Sequence, residues 1–187
     1  MRKVIAFASI LLFLAGFAWS VLTKEAQINK GDAMIVRLAP RDPRAFLLGD
    51  YMAVNYTMNR DVDNALFQRY TGGKNPNMTR RNSEESLKLP RDGIAVVRRD
   101  ANNVASFVRL DDGSPMRNDE QRLYFRVRDG GARIAASAFY FQEGYAKDFE
   151  RARYGELRVN ADGTSLLVHM LDDTLQRIRP QKKIQQD

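Results

Sequence analysis

Residues 4–23 read VIAFASILLFLAGFAWSVLT, a run of about 20 residues without a charge. As a helix rising about 1.5 Å per residue, the run covers about 30 Å, the hydrocarbon thickness of a bilayer. It is apolar around its whole circumference, which argues against a helix that buries one face in a soluble core. Arg2 and Lys3 precede it, whereas Lys24 and Glu25 cancel just after it. The positive-inside bias therefore predicts an N-terminus in the cytoplasm and everything after Thr23 across the cytoplasmic (inner) membrane. The expected organisation is a cytoplasmic stub over residues 1–3, a signal-anchor helix over 4–23 and a juxtamembrane linker over 24–30. An extracytoplasmic (periplasmic) domain over 31–174 and a basic polar tail over 175–187 complete it.

A cleaved secretory signal has the same basic start and apolar core, and Gly16/Ala18 or Ala18/Ser20 would pass as a cleavage site. The run continues past those positions through Val21 and Leu22, longer than the ~7–15 residues of a signal core. Trp19 lies near the outer end, where an indole suits the headgroup region. Length and flanks favour the retained anchor, and the cleaved form is the alternative.

The chain beyond the anchor is the size of one domain and can bury a real core. It contains no cysteine, which excludes disulfides, thiolate metal sites and cysteine nucleophiles. The net charge is +7. Its arginines stand singly along candidate strands, among them Arg37, Arg98, Arg109, Arg126, Arg133 and Arg158, interleaved with aspartates. That spread reads as solvated strand faces rather than a nucleic-acid groove, so no nucleic-acid partner is expected. Arg177, Arg179, Lys182 and Lys183 in the tail suit a nearby anionic lipid surface.

Patterning after the anchor is mainly that of strands. Residues 24–30 extend the helix until Gly31 stops it, and residues 33–38 alternate as a strand. Pro40 and Pro43 bracket Arg41-Asp42 in a stiff turn. Residues 51–58 read as a strand with Met52, Val54 and Tyr56 on one face. Val62, Leu66 and Tyr70 recur at helical spacing, with Asp61 as N-cap. Residues 71–91 form a polar excursion without period. Residues 93–99 with 104–110, 122–128 with 132–141, and 155–159 with 164–171 read as three hairpins around turn-rich links. A short helix fits residues 144–153. The prediction is a mainly-β fold, a barrel or sandwich of about eight short strands with two short helices, preceded by one transmembrane helix.

Two blocks carry a family resemblance. The first is Arg37-Leu38-Ala39-Pro40-Arg41-Asp42-Pro43-Arg44, followed by Leu48-Gly49-Asp50-Tyr51-Met52-Ala53-Val54-Asn55-Tyr56. The second is Phe139-Tyr140-Phe141-Gln142-Glu143-Gly144 with Ala152-Arg153-Tyr154-Gly155-Glu156-Leu157-Arg158-Val159. Together they resemble the GDYxxLxY family, named for a Gly-Asp-Tyr-x-x-Leu-x-Tyr motif, with Val54 standing at the leucine position. The resemblance covers about residues 31–172. It implies a bacterial, membrane-anchored extracytoplasmic protein associated by gene neighbourhood or fusion with multi-spanning membrane proteins. It brings no catalytic residue with it.

In physical terms the motif is a scaffold first. Gly49 can take a positive φ, Asp50 can accept local backbone N–H groups, and Tyr51 and Tyr56 can brace opposite strand faces, with Pro40 and Pro43 stiffening the approach. A rigid turn can also present a recognition rim. The candidates for ligand or partner binding are Asp42, Arg44, Asp50 and Tyr51, with Glu143 and Tyr154. Enzymatic chemistry is weakly signalled. Asp50, Glu143 and Glu156 could serve as acid and base if the fold gathers them, and a membrane-tethered hydrolase acting on envelope material is the alternative reading. Glu143 can equally be a charge at a helix N-terminus. His169, the single histidine, cannot build a multi-histidine metal site. Lys74, Lys88 and Lys147 lie in polar segments unsuited to a desolvated Ser-Lys dyad. No cofactor or metal is expected. The leading expectation is an accessory or interaction domain, held to lipid by residues 4–23 and engaging an integral membrane protein or an envelope ligand.

Overall fold

The computed structural model describes residues 2–40, 51–71, 89–128 and 131–180. Among these residues the chain forms three helices and nine strands, so the mainly-β architecture is as expected. Helix α1 runs unbroken over Arg2–Lys30, with none of its apolar window buried. It is long and apolar enough to cross a membrane, and it carries on through the juxtamembrane residues as one rod. Gly31 ends it. A Cβ there would lie 2.5 Å from the Gln27 carbonyl, whose oxygen already accepts the Gly31 N–H at 2.9 Å.

Strand β1 (Asp32–Arg37) leads away from the helix and pairs antiparallel with β8 (Tyr154–Val159), which pairs with β9 (Ser165–Leu171). Met34 and Val36 are fully buried, as the alternation predicts. A second sheet runs β4-β3-β5-β6, built from β3 (Asp92–Arg99), β4 (Ala105–Leu110), β5 (Glu120–Arg128) and β6 (Gly131–Arg133). The sheets meet along one side where Ile35 bridges Val104. On the other side Tyr124 donates its N–H to the Gly163 carbonyl at 2.8 Å, and the Ser165 hydroxyl donates to the Ile134 carbonyl at 2.7 Å. The result is barrel-like, with Met34, Val36, Leu123, Phe125, Leu157 and Met170 in one shared core.

The three expected hairpins form, but other boundaries differ. Only β2 (Tyr51–Ala53) is strand in the 51–58 segment, and α2 (Thr57–Thr71) starts well before Asp61. The reason is local capping. The Asn55 side-chain oxygen accepts the Tyr56 N–H and the Asn59 amide, and the Thr57 hydroxyl donates to the Leu38 carbonyl. Side chains that bond neighbouring backbone outcompete strand alternation there. Met58, Val62 and Leu66 form the buried stripe of α2, whereas Tyr70 is 44% exposed.

The strand expected over residues 132–141 divides into β6 and β7 (Ala138–Tyr140), and β7 pairs with β2 in a separate ribbon. It breaks after Arg133 because the Ile134 N–H turns to the Asn59 side chain of α2, at 3.1 Å. Helix α3 (Ala146–Phe149) is a single turn inside the longer helix expected, and it seats Phe149 against Phe139 and Phe141. The described start of the tail belongs to the fold. Leu171 bridges Arg177, the Ile178 N–H reaches the Met170 carbonyl at 2.9 Å, and Ile178 is buried.

Candidate functional site

The end of β1 passes Arg37 and Leu38 into Ala39-Pro40, and this segment lies beside residues 53–57. Leu38 bridges Tyr56, and the Ala39 N–H reaches the Asn55 carbonyl at 2.9 Å. Residues 150–153, entering β8, close the third side through the Leu38 N–H to the Arg153 carbonyl at 2.9 Å. Between the three segments opens a groove of about 760 Å³. Leu38, Pro40, Met52, Val54 and Ala152 supply its apolar lining, and Arg37, Arg153 and Glu150 its charge. A smaller recess of about 320 Å³ continues past Ala39, Pro40, Asn55 and Thr57 toward Arg60, Asp63 and Arg133. An apolar hollow with a few placed polar groups is the usual form of a binding site.

The charged groups are held in position. Arg37 donates to the Tyr154 hydroxyl at 3.0 Å and lies 5.2 Å over its ring. Arg153 donates to the carbonyls of Glu150 and Ala152 at 3.1 and 2.9 Å, and Arg133 donates to that of Ala132 at 3.3 Å. Among the described residues these guanidiniums bond neutral acceptors.

Tyr51 is half-buried, its ring 5.6 Å from that of Tyr140 on the β2–β7 ribbon, and Tyr140 is 75% exposed. Tyr56 is buried, and its hydroxyl donates to the Ala136 carbonyl at 3.0 Å. Burial pushes that phenol well above its ordinary value, so it stays protonated. Of the expected rim, Tyr154 stands beside the groove through Arg37. Glu143 sits on the exposed turn before α3 and is not among the described lining residues. Asp42, Arg44 and Asp50 lie outside the described residues, as do Pro43 and Gly49 of the motif and Lys74 and Lys88. Pro40 lines the groove itself.

Glu156 is committed elsewhere. Its carboxylate takes two bonds from Arg177 at 2.8 Å each and lies 3.5 Å from Arg158. The bonds it donates to Glu156 raise the Arg177 pKa above its ordinary value. With both carboxylate oxygens taken up by Arg177, Glu156 fastens the start of the tail to β8. His169 is exposed beside this pair. Partial burial, then the charge of Arg177, holds its imidazole below the ordinary value. Among the described residues no cluster of three His, Asp or Glu groups could hold a metal ion.

The family model for GDYXXLXY proteins matches residues 13–170. The chain belongs to the GDYXXLXY family. Neither the curated proteins nor the solved structures give a match. The GDYXXLXY match takes in the second half of α1 together with the β domain. Sequence reasoning reads Arg37 and Arg133 only as solvated strand residues and assigns no site to Arg60 or Arg153, although the structure sets all four at the groove and its recess. The one available signal is the position of Arg37 directly before Leu-Ala-Pro, which by itself looks no different from the other strand arginines.

Proposed function

We propose that this GDYXXLXY protein is a membrane-anchored interaction module. The helix α1 stays in the cytoplasmic membrane with its N-terminus inside, and the β domain works on the extracytoplasmic side. The observation that carries this reading is the join between helix and domain. Gln27 is buried and donates to the carbonyls of Arg158 and Thr164 at 3.3 and 3.2 Å, while Arg158 donates to the Gly31 carbonyl at 3.3 Å. The apolar window of α1 packs on none of the described residues of the domain while its last turn is built into it, as suits a helix held in lipid up to the domain's edge. The family match beginning inside α1 supports the same reading.

An anchored domain needs only modest contacts, because confinement to a surface raises its effective concentration near a membrane partner. The groove supplies those contacts, and an integral membrane protein is the partner class that this confinement favours. The test is fractionation of cells expressing the full chain, followed by protease treatment from the outer face of the cytoplasmic membrane. Intact-length polypeptide should remain in the membrane pellet after alkaline wash, lose its β domain to external protease, and co-purify with a membrane protein in detergent. Recovery of a chain shortened by about 20 residues from the aqueous fraction would refute the anchor.

A further inference from the structure

We propose that the turn between β8 and β9, residues 160–163, is a lipid-contact element, set in the headgroup layer on the domain's side of the membrane, where it takes zwitterionic headgroups. The inference rests on the reading of α1 as a retained anchor and adds a second point at which the chain meets the bilayer.

The first argument is the direction in which the hairpin runs. β1 leads away from the end of α1, and β8 returns antiparallel to it, with Val159 opposite Asp32. Past that pair the hairpin continues alongside the helix. A Cβ on Gly31 would lie 3.1 Å from the Arg158 Cβ. One helical turn earlier, Gln27 reaches the Arg158 and Thr164 carbonyls at 3.3 and 3.2 Å. Earlier still, Lys24 donates to the Gln27 side chain at 3.3 Å, and its charge acts on Asp162 at the tip of the turn. The turn therefore points back along α1, toward the apolar run. Its tip lies between the levels of Lys24 and Gln27, the latter about 6 Å past Thr23 by helical rise. The headgroup layer on each side of a bilayer is about 5–7 Å thick. The tip falls inside it.

The second argument is that the turn is braced and charged for that layer. Gly163 has a φ of +86°, and its carbonyl accepts the Tyr124 N–H of β5 at 2.8 Å, which supports the turn from behind. A Cβ there would lie 3.0 Å from the Tyr124 nitrogen, so the close approach requires glycine. The Asp162 carboxylate accepts the Thr164 N–H and hydroxyl at 2.9 and 2.7 Å. Those bonds, and after them the charge of Lys24, hold the Asp162 carboxyl below its ordinary value, so it is ionised. An ionised carboxylate enters hydrocarbon only at a large cost, which stops the tip at the headgroups. Ala161 and Asp162 are exposed there. Over residues 24–32 and 158–164 the charges balance, with Lys24, Lys30 and Arg158 against Glu25, Asp32 and Asp162. A balanced set gains little from an anionic surface. Lys24 and Asp162 together match the phosphate and the ammonium of a zwitterionic headgroup.

The chain contains no cysteine, so Ala161→Cys gives one site for a nitroxide label on the full-length protein in phosphatidylcholine–phosphatidylethanolamine vesicles. Collisions with oxygen, which enters the bilayer, and with a nickel chelate, which stays in water, read the depth of the label. Leu14→Cys in the apolar run and Lys147→Cys on α3, ahead of the far end of β8, are the references. The Ala161 label should meet the chelate severalfold less often than the Lys147 label and meet oxygen less often than the Leu14 label. Neither added phosphatidylglycerol nor raised salt should change this. Equal chelate access at Ala161 and Lys147 would overturn the proposal. So would a contact that needs phosphatidylglycerol or is lost in salt. Water at Ala161 with Leu14 still in hydrocarbon sinks the lipid contact and leaves the anchor standing, whereas chelate access at Leu14 refutes both. Should the labelled chain fail to fold, Ala161→Trp in a Trp19→Phe chain decides, since Trp19 is the single tryptophan. Lipids brominated near the headgroup should quench its fluorescence, and emission indifferent to them would overturn the proposal.

Discussion

Individual side chains here divide into those buried in the core and those left exposed, and the first kind hold the fold. Tyr56 is the clearest of the first kind, with its ring in the core and its hydroxyl bonded to the Ala136 carbonyl. Tyr56→Phe should cost about 1 kcal/mol, read as a lower urea midpoint with an unchanged slope, because it deletes one hydrogen bond and no apolar area. A loss several times larger would mean that the ring had repacked. His169 makes a pH prediction. Its folded pKa lies below the ordinary 6.5, so the neutral form is the one the fold prefers. Above that value the imidazole is neutral in both states and contributes nothing to the balance. Below it the unfolded chain takes up the proton more readily, and stability falls as pH drops. Thermal midpoints should therefore decline between about pH 7 and 5, and His169→Gln should flatten that decline. The aspartates act lower on the scale. The Gly113 N–H, the Thr164 hydroxyl and the Thr174 hydroxyl lead in lowering Asp111, Asp162 and Asp172, so their contribution is present above pH 3.8 and is lost as pH falls below it.

At the scale of elements, α2 acts as an honorary strand. Asn59 and Asp63 are one helical turn apart, about 6 Å of rise, close to the span of two strand residues. That match lets them receive the N–H groups of Ile134 and Ala132, which are two residues apart at the β6 edge. Both are buried, with exposures of 4% and 7%. Replacing Asp63 by Ala should cost about 1–3 kcal/mol by stranding a buried N–H. The Asn59→Ala, Asp63→Ala pair should be non-additive, since both hold one edge, and a double-mutant cycle in urea would show it. Strict additivity would mean that the two bonds hold the edge independently. Little of this is legible in the sequence. Helical spacing of Val62 and Leu66 is visible, but two polar residues pairing with a strand some 70 positions away leave no local trace. The same blind spot explains β7, since its partner β2 is equally remote.

At the scale of the molecule, the bonds at Gln27 and Gly31 tie the last turn of α1 to the β8–β9 end of the domain. Gln27→Ala removes both bonds to the β8–β9 end. It should speed protease cutting near residues 24–31 in detergent micelles about tenfold, while the urea midpoint of the domain moves by less than about 1 kcal/mol. Equal cutting rates would show that Gly31 and Arg158 hold the join without it. The four arginines at the groove come from β1, α2, β6 and the approach to β8, and no stretch of sequence contains more than one of them.

The linear chain by itself settled the apolar helix, the mainly-β character, the hairpins and the family, because each rests on neighbours within a few residues or on a contiguous motif. Only the tertiary structure decided that α2 covers the β6 edge, which arginines gather at the groove and that Glu156 is a fastening. Those are properties of groups brought together across the chain, where backbone bonds and charges are either met or left over.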